Sequence, residues 1–171
     1  NEKLGLYYSS GYKESYRIDK QNPHLWVHPK YDVVTPDRKE FSYEIRCNAD
    51  GLRDIDHPVK KDKDEYRIIC LGNSYTEGIG TPQDSTWPKL LEDRLKSICS
   101  GKVAVFNAGN SGSDPFFEYM LLEERMLKYN PDLVLVALGS SDINFYRFRG
   151  GFERFTPDGF IYRKAPAWER F

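Results

Sequence analysis

Residues 66–78 read Tyr66-Arg67-Ile68-Ile69-Cys70-Leu71-Gly72-Asn73-Ser74-Tyr75-Thr76-Glu77-Gly78, an apolar run that stops abruptly at a glycine and a polar loop. A short apolar run bounded by a Gly/Asn turn signal predicts a strand buried on both faces, and the residues beyond it predict the start of a helix. Ser74 then stands just past the strand end, with an exposed hydroxyl and free backbone N–H groups beside it. Such groups favour developing negative charge, so Ser74 is the first candidate for chemistry. Its plainer role is to cap the helix.

The same strand, loop and helix unit recurs downstream. Trp87, Leu90, Leu91, Leu95 and Ile98 fall at helical spacing behind the cap candidates Ser85 and Thr86, with Pro88 admissible in the first turn. Val103–Phe106 reads as a second strand ending at Asn107-Ala108-Gly109-Asn110-Ser111-Gly112. Asp114-Pro115 opens a second helix carrying Phe117, Met120, Leu121, Glu124 and Leu127, and Asn130-Pro131 closes it. Leu133–Leu138 is a third strand, ending at Gly139-Ser140-Ser141-Asp142. Continuous apolar strands alternating with amphipathic helices predict an α/β fold, flavodoxin-like, in which helices cover both faces of a parallel sheet. Right-handed crossovers place the first strand between the other two and bring all three loops to one edge, where open α/β sheets bind ligands. There Ser74, the Gly109 amide and a polar side chain from the third loop are positioned to surround one small oxyanion. Gly109 serves equally well in a tight turn, and Asp142 reads as a structural residue bonding loop amides.

The flanks differ from this core. Residues 1–65 are polar and rich in Tyr, with short alternating pieces at Leu25-Trp26-Val27-His28 and Phe41-Ser42-Tyr43-Glu44-Ile45-Arg46, and read as a small β-containing extension closed by a solvated linker, Lys60–Glu65. Residues 66–144 hold the α/β core. Residues 145–171 are dense in aromatics and arginines, with a hairpin signal at Pro157-Asp158-Gly159 between Phe155 and Phe160, and suit a lid, a substrate wall or a partner surface. His24 and His28 read as surface or turn residues.

Composition narrows the class further. The 171 residues carry 25 basic and 26 acidic side chains, a net charge of −1, well mixed along the chain, which argues against nucleic acid as a partner. No apolar run approaches the roughly 18 residues a membrane span needs. Cys47, Cys70 and Cys99 are widely spaced and form neither a disulfide framework nor a metal-binding pair. No cofactor motif stands out. The sequence does not begin with Met, so an upstream signal, anchor or tag is expected and the N-terminus does not give the location, for which an extracytoplasmic or membrane-anchored one is favoured slightly over a cytoplasmic one.

The three loops resemble those of the SGNH/GDSL hydrolase family. Gly72-Asn73-Ser74 stands where that family has Gly-Asp-Ser, Asn107-Ala108-Gly109 matches its glycine block, and Gly139-Ser140-Ser141-Asp142 matches its Gly-x-Asn-Asp block. Trp87-Pro88 and Asn48…Gly51-Leu52-Arg53 look like the longer bacterial members, and the resemblance covers about residues 48–145. It implies a serine ester hydrolase of the esterase, lipase or carbohydrate deacetylase kind, acting on a small-molecule or glycan ester. Ser74 is the implied nucleophile, the Ser74 and Gly109 amides the oxyanion donors, and Ser141 the third donor in place of the family's Asn. An acyltransferase and a non-catalytic binder of acylated glycans or of a partner also fit, and a flavodoxin-like phosphate or flavin site is a remote third, opposed by Glu77. Losing an oxyanion donor costs about 2.7 to 4 kcal/mol of transition-state stabilisation, so the shorter Ser141 is a real departure, with Asn144 nearby to compensate. The second departure is the base. The family's histidine comes from a C-terminal Asp-x-x-His block, whereas this sequence has only His24, His28 and His57, all ahead of Ser74. The resemblance therefore implies a sheet incomplete at the C-terminus, with the catalytic histidine beyond Phe171 and little activity in the 171 residues alone. Asp54-Ile55-Asp56-His57 spells the motif but precedes the first strand, and is expected as a surface turn at the far edge of the sheet.

Overall fold

The computed structural model describes residues 17–18, 25–35, 42–151, 155–156 and 159–160. Its centre is a parallel sheet of β5 (Glu65–Gly72), β6 (Lys102–Gly109) and β7 (Leu133–Ala137), in the order β6-β5-β7. Register pairs Gly72 with Gly109 and with Ala137, so the three strands end level and their loops emerge together. Before the sheet come four two-residue strands, β1 (Arg17–Ile18), β2 (Trp26–Val27), β3 (Val33–Val34) and β4 (Ile45–Arg46), paired antiparallel as β1 with β2 and β3 with β4. After it, β8 (Phe155–Thr156) and β9 (Gly159–Phe160) form the expected hairpin. Residues 161–171, the remainder of the predicted lid, lie outside the described residues.

Alternation along the strands builds two cores. Ile68, Cys70, Val103 and Val105 face one way, against Trp87, Leu91 and Leu95 of α2 (Trp87–Ile98). Leu90 and Ile98, which share the helical spacing, are exposed. Ile69, Leu71, Phe106 and Ala108 face the other way, against Phe117, Met120 and Leu121 of α3 (Pro115–Leu121). This is the three-layer arrangement the sequence predicts. Burial pushes the Cys70 thiol up to about 12, so it acts there as a neutral hydrophobe.

Three features depart from the sequence reading. Leu25, Trp26, Val27 and Leu52 belong to the same core as Phe117, with the Trp26 and Phe117 rings 4.1 Å apart, so the described N-terminal pieces are built into the domain. The linker is exposed over most of its length, as read, and the departure is at its first residue, Lys60, whose carbonyl accepts from the buried Arg67 guanidinium together with that of Val59 just before it. Finally, α4 (Ser140–Arg149) runs through Phe145, so the boundary read at 144 falls inside a helix. Asp142 caps that helix through the Gly139 amide, and Arg149 anchors its other end on Asp114. Among the described residues no helix is long and apolar enough to cross a membrane.

Candidate active site

Ser74 opens α1 (Ser74–Glu77), a single turn that starts as soon as β5 ends. Gly72 makes that sharp exit possible: its φ is +153°, and a Cβ there would sit 2.2 Å from Thr76 Oγ1. The cap is Asn73, whose Oδ1 accepts from the Tyr75 amide at 3.0 Å. Asn73 Nδ2 donates to Asp142 Oδ1 at 2.7 Å, which fastens the first loop to the third. Ser74 is thereby released from capping. It is half-buried, and its hydroxyl has no hydrogen-bond partner among the described residues. Tyr75 beside it is exposed.

The second loop corrects the oxyanion assignment. The Gly109 amide donates to Asn107 Oδ1 at 3.0 Å, so it is already engaged. A Cβ on Gly109 would lie 2.1 Å from the Glu77 nitrogen, which identifies this glycine as the point where β6 passes against α1. The next turn lies close to Ser74: the Asn110 amide donates to the Gly72 carbonyl at 2.9 Å, and the Ser111 amide to Glu77 Oε2 at 2.7 Å. The Ser113 amide turns back to the Asn110 carbonyl at 3.0 Å. Within residues 110–113 this leaves the Gly112 amide without an acceptor among the described residues. Gly112 sits at φ +76°, a conformation that favours glycine, and its carbonyl accepts from Arg149 at 2.7 Å. Sequence reasoning missed Gly112. Its only signal was membership of the same Gly/Ser/Asn run as Gly109.

In the third loop Ser141 occupies the first turn of α4. Its hydroxyl is 3.5 Å from Asp142 Oδ1, a long bond that leaves it free to rotate, and it borders the space beside Gly139 together with Asn73 Nδ2. Asn144 is exposed. Asp142 is fully buried and joins the Asn73 and Gly139 contacts, the structural role read for it.

The histidines are engaged elsewhere. His57 is not a surface residue: its side chain is largely buried, stacked on Phe106 at 3.8 Å, with Nε2 3.0 Å from Asp54 Oδ2. Asp54 Oδ2 also accepts from the Asn107 amide at 2.8 Å, which places the pair not at the expected far edge of the sheet but toward the C-terminal end of β6, on the outer side of that strand from β5. His28, read as a surface or turn residue, is buried with Nε2 2.8 Å from Glu77 Oε1. His24 lies outside the described residues.

Beneath the loops, Glu118 is buried on α3 and accepts from Ser113 Oγ at 3.0 Å. Burial is the main cause that pushes its carboxyl up to about 7, with Asp142 and Asp114 adding to it and the Ser113 bond opposing it.

These three loops at one sheet edge coincide with a sequence match. The profile of the GDSL-like lipase/acylhydrolase family matches residues 70–161. The chain belongs to that family. An uncharacterized protein of Mycoplasma pneumoniae is 35% identical over 86 residues, 49% of this chain and 10% of that protein. An arylesterase of Vibrio mimicus is 33% identical over 76 residues, 44% of this chain and 38% of that enzyme. The chain thus spans well under two thirds of either relative.

Proposed function

We propose that Ser74 is the nucleophile of an ester hydrolase that acts on a small-molecule or glycan ester. The observation that carries this is the unengaged Ser74 hydroxyl at the end of β5, with the Gly112 amide of the adjoining loop also unengaged. Ser74 Oγ attacks the carbonyl carbon and gives its proton to a base; the alcohol leaves protonated, and water then cleaves the acyl-serine bond. The Ser74 and Gly112 amides stabilise the oxyanion, and the Ser141 hydroxyl is a weaker third donor. The place of His57 on the outer edge of β6, with that strand between it and β5, supports a base other than His57, and the burial of His28 against Glu77 argues the same for His28. Similarity to an arylesterase supports phenyl acetate as a first substrate.

The test is turnover of phenyl acetate by the full-length protein, since little activity is expected of the 171 residues alone. Ser74→Ala is expected to lower kcat about 100-fold or more, while His57→Ala stays within about twofold. Loss of turnover in His57→Ala would make the Asp54/His57 pair the base. A second reading, a domain that binds acyl groups without cleaving them, is favoured by the engagement of both described histidines and by Ser141 in place of Asn. It predicts acetate binding without turnover.

A further inference from the structure

A single helical turn has almost no stability of its own in water. Whatever holds Ser74 in place therefore lies outside α1, and much of it converges on Glu77 at the other end of that turn. The Glu77 carboxylate is fully buried. One oxygen meets His28 Nε2 at 2.8 Å, and the other accepts both from the Ser111 amide, at 2.7 Å, and from the Ser111 hydroxyl. Its main chain is gripped as well: Arg53 donates to the Glu77 carbonyl at 3.1 Å and to the Gly78 carbonyl at 2.5 Å, and the Glu77 nitrogen abuts Gly109. A buried carboxylate with donors on both oxygens is a stiff fixture, since removing a donor leaves charge that water cannot reach. This fixture runs from the nucleophile helix straight to Ser111, the residue before Gly112.

We propose that Glu77 is a positioning residue that sets the spacing between Ser74 and the Gly112 amide by gripping Ser111, with His28 as the brace that orients its carboxylate. The role rests on the reading of Ser74 as nucleophile and Gly112 as oxyanion donor. Glu77 touches no substrate and acts only through Ser111. Because an oxyanion donor works only when aimed at the developing charge, a small displacement of the 110–112 turn forfeits most of its effect, and losing one donor costs about 10² to 10³ in kcat.

The experiment compares the unsubstituted protein with Glu77→Ala, Glu77→Gln, Ser111→Ala and the Glu77→Ala/Ser111→Ala pair. Glu77→Ala is expected to lower kcat for phenyl acetate about 100-fold with KM within about threefold. Glu77→Gln recovers part of the loss, since its amide oxygen still accepts from Ser111, whereas its NH2 meets His28 only when that ring changes tautomer and presents Nε2 as an acceptor. The double variant is expected to be no slower than Glu77→Ala alone, because the Ser111 hydroxyl that the second change removes has already lost its carboxylate partner in the first. If Glu77→Ala does not fold, Glu77→Gln and Ser111→Ala carry the test. Acetate titration followed by the amide resonances of Ser74 and Gly112 gives a readout independent of turnover: both respond together in the unsubstituted protein, and acetate binds at least about fivefold more weakly to Ser111→Ala. Variants that keep kcat and acetate affinity while only melting earlier overturn the positioning role. So do losses that multiply in the double variant. An unsubstituted protein that shows neither turnover nor an acetate response overturns the nucleophile and oxyanion reading, and the positioning role with it.

Discussion

The two flanks of the sheet are finished to different degrees. Along the outer edge of β6 the strand's polar groups are met by side chains: the Asn107 amide by Asp54, the Val105 amide by Glu92, and the Val105 carbonyl by Lys89. Lys89 also bridges to Asp54 at 2.5 Å, and His57 closes the row over Phe106. β7 ends the sheet on the other side, and among the described residues nothing pairs with its outer edge. Val134 and Leu135 hold it to the two cores, while Val136 is 49% exposed and Leu138 56%. Edge strands are ordinarily blunted or covered, and β6 is. The same contrast reaches the loops, where Ser111 and Glu77 near β6 are locked by several bonds, whereas the Ser141 hydroxyl on the β7 side is held by one long contact.

The sharpest way to break this comparison is at Asp54. Its carboxylate is 1% exposed and serves Lys89, His57 and the Asn107 amide at once. Asp54→Ala strips a buried ammonium of one partner and a strand amide of its acceptor, and is expected to cost about 3 to 5 kcal/mol in denaturant melts. A cost under about 1 kcal/mol would mean that the β6 seal is ornamental.

Glu118 tests the seam between the flanks, where α3 from the β6 side meets α4 from the β7 side. Three buried carboxyl groups, Asp114, Glu118 and Asp142, share this seam with the Arg149 guanidinium, which pairs with Asp114. The folded value of about 7 for Glu118 stands above the 4.5 of a free glutamate side chain, so the folded state holds a proton that the unfolded state releases in between. Stability from this group therefore falls as pH rises from about 4.5 to about 7, by up to about 3 kcal/mol, and is constant outside that window. Glu118→Gln cannot titrate. Relative to the unsubstituted protein it is expected to gain stability between pH 5 and pH 8, whereas parallel melting profiles would show that Glu118 does not titrate in that range.

What the sequence made legible follows from where the information is local. The end of β5 and the strand order rest on apolar runs punctuated by glycine, and these patterns survive without knowledge of tertiary contacts. The choice between Gly109 and Gly112 does not. Both lie in one Gly/Ser/Asn run, and only the contact of Gly109 with the α1 backbone, and its bond to Asn107, remove it from the oxyanion role. Helix α4 was illegible for a related reason: it carries no apolar stripe, and is fixed by a buried Asp142 near one end and a buried Arg149 at the other. Trp26, in an apolar piece of only three residues, and Leu52, alone in a polar turn, become core residues only through packing on Phe117 and its neighbours.

The smallest expected effect sharpens the β7 side. Val136 is half exposed, so its side chain contributes little burial, and its strand neighbours Val134 and Leu135 supply the packing that holds β7. Val136→Lys keeps the backbone hydrogen bonds to β5 and lets the ammonium reach water along its flexible stem, a cost of about 0.5 kcal/mol or less. Lys is also a residue that edge strands use to discourage further pairing. A thermal melt within a few degrees of the unsubstituted protein is therefore expected. A loss above about 2 kcal/mol would show that Val136 is covered in solution, and that β7 is as sealed as β6.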